Sequence, residues 1–110
     1  MDELRFLVQG SAEAPYRVTF QKNGNNLSAY CTCPAGNNGQ YCKHRFNIIS
    51  GITDGIVSNN EQDVKIVESW LPGTDVEDAL NEVMDAEEQF EKAKHKLSSA
   101  KKRLAGAFRD

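Results

Sequence analysis

The segment Cys31-Thr32-Cys33-Pro34-Ala35-Gly36-Asn37-Asn38-Gly39-Gln40-Tyr41-Cys42-Lys43-His44 places four soft or borderline metal ligands within a short span of chain. Cys31 and Cys33 are separated by one residue, as are Cys42 and His44, and a loop joins the two pairs. Four such groups meet the tetrahedral demand of zinc. On an extended strand the side chains at i and i+2 point to the same side, so Cys31 and Cys33 can grip one ion while the loop brings Cys42 and His44 around to the opposite side. Protein then fills every coordination position, which makes the expected zinc structural, one per chain, and leaves no place for an activated water. The competing reading is a buried or redox-active thiol pair with His44 on the surface, and the spacing favours the metal. No separate base and oxyanion constellation accompanies the thiols, so neither an enzyme nor a small-molecule substrate is expected.

Outward from this segment, Leu4 to Val8, Tyr16 to Gln21 and Leu27 to Cys33 read as three short strands. The clearest period-two signal is Tyr16, Val18 and Phe20 alternating with Arg17, Thr19 and Gln21. Lys22-Asn23-Gly24-Asn25-Asn26 joins the last two strands as a hairpin, with Asn-Gly the strongest short turn signal. Pro34 to Gly39 reads as a free loop with nothing to bury. A short helix is predicted after Cys42, with Phe46, Ile49, Ile52 and Ile56 packing onto the hairpin and its end blurred by Gly51 and Gly55.

The pattern CTCPAGNNGQYCKH resembles the SWIM-type zinc finger, in which CxC, a variable loop and CxH succeed one another. The resemblance spans about residues 16 to 56 and implies Cys31, Cys33, Cys42 and His44 as ligands, in a module taken to bind DNA or protein rather than to catalyse. Asn47 departs from it, standing where members often carry a small apolar residue. The family pattern does not account for the long helix expected near the C-terminus.

Ser58 to Glu61 has the form of a capping box opening a helix through Val64, Val67 and Leu71, which Pro72-Gly73 stops; Trp70 is expected in the core. Thr74 with Glu77 forms a second box, and no breaker intervenes until Gly106. Val76, Val83, Phe90, Leu97 and Leu104 recur every seven residues, each succeeded three residues later by Ala79, Ala86, Ala93, Ala100 and Ala107. Such a helix would be about 50 Å long at ~1.5 Å per residue. The alternative is a helix lying on its own head, but a head of some seventy residues is only about 30 Å across. Unless the helix bends near Ser98-Ser99, part of the stripe overhangs and is expected to need a partner. Residues 75–91 hold eight acids and no base, and 92–109 hold seven bases and no acid. Parallel self-pairing would set like charges together. An antiparallel homodimer sets Val83 against Ala100 and Phe90 against Ala93, with Glu87 near Lys94 and Glu82 near Arg103. Its seam is Val83, Ala86, Phe90, Ala93, Leu97 and Ala100.

The expected architecture is therefore α+β: a zinc-binding head of small hairpin and short helix over 1–57, a connector helix and Pro-Gly break over 58–73, and a long heptad-patterned amphipathic helix over 74–110. At 110 residues the chain is too short for a two-domain enzyme. Its longest apolar run is Phe6-Leu7-Val8 and its start is acidic, so no membrane span or signal peptide is expected and the cytoplasm is the expected compartment. A net charge of −3 argues against binding nucleic acid by bulk charge. The expected function is a protein-binding adaptor or inhibitor, such as a mobile genetic element carries, that dimerises through its last helix. The alternative is a dimeric DNA-binding regulator. Lys43, Arg45, Lys101, Lys102 and Arg103 are the candidate partner-binding residues, with Lys43 and Arg45 on the exposed rim of the metal site.

Overall fold

The computed structural model describes residues 2–109. Three strands, β1 (Asp2–Val8), β2 (Tyr16–Asn23) and β3 (Asn26–Cys31), form an antiparallel meander in the order β1-β2-β3. The register sets Phe6 opposite Val18 and Val18 opposite Cys31. Because successive side chains alternate in a strand, Phe6, Val8, Val18, Phe20, Leu27 and Cys31 fall on one face, and all six are buried. Phe6 and Phe20 meet edge to face with ring centroids 6.4 Å apart. The pairing of Asn23 with Asn26 leaves Gly24 and Asn25 as a two-residue turn. Gly24 has φ of 61° and no non-glycine residue among those described has positive φ, the pattern of a type II′ rather than the type I′ connection that Asn-Gly suggests.

Two short helices follow the sheet and contact β3. α1 (Pro34–Asn37) is a single turn where a free loop was expected. α2 (Lys43–Ile49) begins directly after Cys42, as the sequence predicts, and runs through Asn47 without interruption. Its buried stripe is not the predicted one. Ile48 and Ile49 are buried, Phe46 is half-buried, and Ile52 lies beyond the helix and exposed. Ile56 is not helical but bridges Val8, and the backbone of this segment adds to the edge of β1 through Gln9 N–H to Gly55 O and Val57 N–H to Leu7 O, both 2.8 Å.

The first expected capping box does not form. Ser58 Oγ accepts from the backbone N–H of Leu7 at 3.1 Å, and Asn60 donates its side-chain amide to Arg5 O at 2.8 Å. A 3-10 turn at Glu61–Asp63 leads instead into α3 (Val64–Trp70), which packs against α2 and buries Val64 and Val67. Trp70 is half-buried and outside the core.

The second box forms with one partner displaced. Thr74 Oγ1 accepts from Glu77 N–H at 3.3 Å, while Glu77 Oε1 accepts from Gly73 N–H rather than from Thr74. It opens α4 (Asp75–Ala107), 33 residues long and continuous through Gly106. The chain divides between Glu77 and Asp78 into two compact units, the first holding the sheet and α1 to α3, the second the rest of α4. The architecture is mixed α+β. No helix among the described residues is long and apolar enough to cross a membrane.

Candidate metal centre

The four ligand candidates arrive from three neighbouring places in the first unit. Cys31 ends β3. Cys33 lies beyond the strand, not within it as expected, yet its backbone is still extended (φ −66°, ψ 161°), which keeps the two side chains on one side. Cys33 also caps α1: its Sγ accepts from Gly36 N–H at 3.3 Å. Cys42 is the N-terminal cap of α2 and His44 sits in the first turn of that helix.

Among the described residues these four form a cluster whose ligand atoms all lie within 4.8 Å of one another. Cys33 Sγ is 3.4 Å from Cys42 Sγ, and His44 Nδ1 is 3.7 Å from the sulfurs of both Cys31 and Cys42. A tetrahedral zinc with bonds of ~2.3 Å to sulfur would have edges of about 3.8 Å, so the spacing suits one ion at the centre. All four residues are buried and none of the cysteines is in a disulfide.

The electrostatics point the same way. Burial pushes the Cys31 thiol up to about 12, with its neighbouring thiols adding to the effect. Burial also works against ionising Cys42, but hydrogen bonds from the Arg45 backbone, from the Cys33 and Cys31 thiols and from the His44 backbone outweigh it and leave that thiol below its ordinary value. Burial, then the adjacent Lys43 charge, lowers His44 and favours neutral imidazole, the form that ligates a metal. A cation at the centre would offset the cost of ionising these buried thiols, and three sulfurs with one imidazole nitrogen are a zinc donor set. The residues fit a closed structural site in which protein supplies every ligand.

Two features of the site have little signal in the sequence. α1 turns Pro34 to Asn37 back beside the cluster, and Gly36 allows it. A Cβ there would collide with the carbonyl oxygen of Cys31 and lie 2.8 Å from its Cβ. The one sequence signal was Pro34, which suits the first position of a helix. The other feature is the close approach of Gly10 and Tyr16 to His44: the two rings lie with centroids 5.2 Å apart, and a Cβ at Gly10 would lie 3.3 Å from His44 Nε2.

The candidate partner-binding residues separate. Lys43 is exposed, but Arg45 is not on the rim as expected. It is half-buried, donating Nη1–H to Ala29 O at 3.2 Å and Nη2–H to Gln40 O at 2.5 Å, so its guanidinium braces α2 against β3 and the loop. Lys101, Lys102 and Arg103 are exposed on α4. Of the seam, Val83 is half-buried, Ala86, Ala93 and Ala100 are exposed, and Phe90 and Leu97 are 63% and 56% exposed.

Residues 16–45 match the family model of the SWIM zinc finger, a zinc-binding module. The match contains all four clustered residues, so sequence pattern and geometry agree on a cluster of Cys31, Cys33, Cys42 and His44 that could bind one zinc ion. No curated protein and no solved structure matches the chain.

Proposed function

We propose that the chain is a non-enzymatic, protein-binding adaptor or inhibitor whose head is organised by zinc and whose last helix pairs with a second copy. The closed ligand set supports the first half of this reading, because a zinc ion with four protein ligands has no position at which to activate water or substrate. The single observation that supports pairing is the stripe on α4: Phe90, Leu97 and Leu104 are each more than half exposed on a helix otherwise rich in charge. The cost of leaving such a stripe in water is removed by a matching stripe. An antiparallel mate puts the acidic half of each helix against the basic half of the other, with alanine facing each large residue.

Light scattering on the full chain at tens of micromolar tests the pairing. The expected mass is twice the 12.2 kDa of one chain, and a strict monomer at that concentration removes dimerisation from the proposal. The DNA-binding reading is supported by the exposed Lys43, Lys101, Lys102 and Arg103. It is weakened by Arg45, whose guanidinium is already committed to two carbonyls. Gel shifts at low and physiological salt separate the two readings, since a phosphate-contacting site loses affinity in a graded way as salt rises and an adaptor shows no shift.

A further inference from the structure

Ligating histidines are usually held by a hydrogen bond from the ring nitrogen that does not touch the metal, which sets the tautomer and the angle of the ring. His44 lacks that hold. Its Nδ1 faces the sulfurs, while Nε2 is buried with no hydrogen-bond partner. Gln9, Asn47 and Asp54 line a cavity beside the imidazole, but none of them hydrogen-bonds Nε2, and the closest packing on the ring is carbon. The Tyr16 ring lies against it with centroids 5.2 Å apart at 44°, and Gly10, in the connection from β1 to β2, closes over both rings. A Cβ at Gly10 would lie 2.6 Å from Tyr16 Cε2 and 3.3 Å from His44 Nε2. Only a residue without a side chain lets the backbone approach this closely.

We infer that Tyr16 and Gly10 are positioning residues for the zinc ligand: by packing, they hold the His44 imidazole in the orientation that turns Nδ1 toward the three sulfurs. The inference rests on the assignment of the cluster to zinc. It explains why the ring can dispense with a polar partner at Nε2. It also gives a reason for glycine at position 10, where a Cβ would meet both rings. The contact to Gly10 is through ring carbons of Tyr16, so an aromatic ring, and not a hydroxyl, is the requirement.

The test measures the zinc affinity of the full chain by competition with a chromophoric chelator, and the absorption spectrum with cobalt(II) in place of zinc. Tyr16→Ala is expected to lose about 10- to 100-fold in affinity, the range for loss of a group that orients a ligand, and to alter the cobalt d–d bands as the imidazole departs from its place. Tyr16→Phe is expected to restore wild-type affinity and spectrum. Gly10→Ala is expected to weaken binding as well, because its methyl displaces the Tyr16 ring. Leu27→Ala, a core change in β3, is the control: it lowers head stability but leaves the cobalt spectrum as in the wild type.

Wild-type affinity and spectrum in Tyr16→Ala overturn the inference. So does a loss accompanied by an unchanged spectrum, as in the control, since that is general destabilisation. Should Tyr16→Ala fail to fold, Gly10→Ala with wild-type affinity overturns it. A wild-type chain that binds neither zinc nor cobalt overturns the zinc assignment itself, an outcome distinct from the others.

Discussion

The head and α4 satisfy their side chains in opposite ways. In the head and in α3, which follows it, Phe6, Val18, Phe20, Ile48, Val64 and Val67 are sealed almost completely from water, and the four ligand residues of the head are buried together. Along α4, Leu80 is buried, while Phe90, Leu97, Leu104 and Phe108 are largely exposed and the charges separate by half. A core this small gains little from burial alone and is reinforced by a metal. The exposed stripe of α4 is apolar surface that packing would cover, and in water an isolated helix is marginal without such packing.

Removing the metal should break the contrast most completely. Structural zinc contributes roughly 10–16 kcal/mol in apparent terms in small finger peptides, more than a core of this size supplies. Chelation, or Cys42→Ala, should therefore unfold the head and spare much of α4, which near- and far-ultraviolet circular dichroism would register as lost tertiary signal with helical signal retained. Simultaneous loss of both signals would show the two regions to be less independent than proposed.

Next in size is Phe20→Ala. Phe20 is 2% exposed, and emptying an aromatic site in a packed core costs about 3–5 kcal/mol. Denaturant unfolding of the zinc-loaded chain should show that loss in the head, with the mass by light scattering unaltered. Ala93→Leu reverses the pattern: the head keeps its zinc and stability, while a bulky residue at the centre of the antiparallel seam forces the backbones apart and shifts the mass toward one chain. Thr74→Ala removes the hydroxyl that accepts from Glu77 N–H and should cost about 1 kcal/mol of helix stability, seen as fraying of the first turn of α4. Glu87→Lys is the smallest and sharpest test. It sets like charges together across an antiparallel pair, so the dimer should weaken at low salt and recover as salt screens the repulsion.

Where sequence reading and structure part, a distant partner displaced a local one. Ser58 and Glu61 have the spacing of a capping box, but the hydroxyl is taken by Leu7 N–H across 51 positions of chain. Arg45 reads locally as a rim charge beside a ligand, yet carbonyls of Ala29 and Gln40 lie within its reach once α2 folds against β3. Ile52 and Ile56 continue a helical period on paper. In the fold the helix has ended, and Ile56 pairs with Val8.

The readable features were those that depend on near neighbours along the chain. The CxC and CxH pairs declare their chemistry by spacing, Tyr16-Val18-Phe20 declares a strand by alternation, and Thr74 to Gly106 declares a long helix by propensity and its cap. Each arises from backbone geometry repeating over a few residues, which the order of amino acids alone determines. Tertiary structure decided which nitrogen of His44 faces the sulfurs, that Cys33 caps a helix instead of ending a strand, and that Gly36 and Gly10 must lack side chains. These depend on atoms brought together from separate parts of the chain, where the space left by one segment dictates what another can hold.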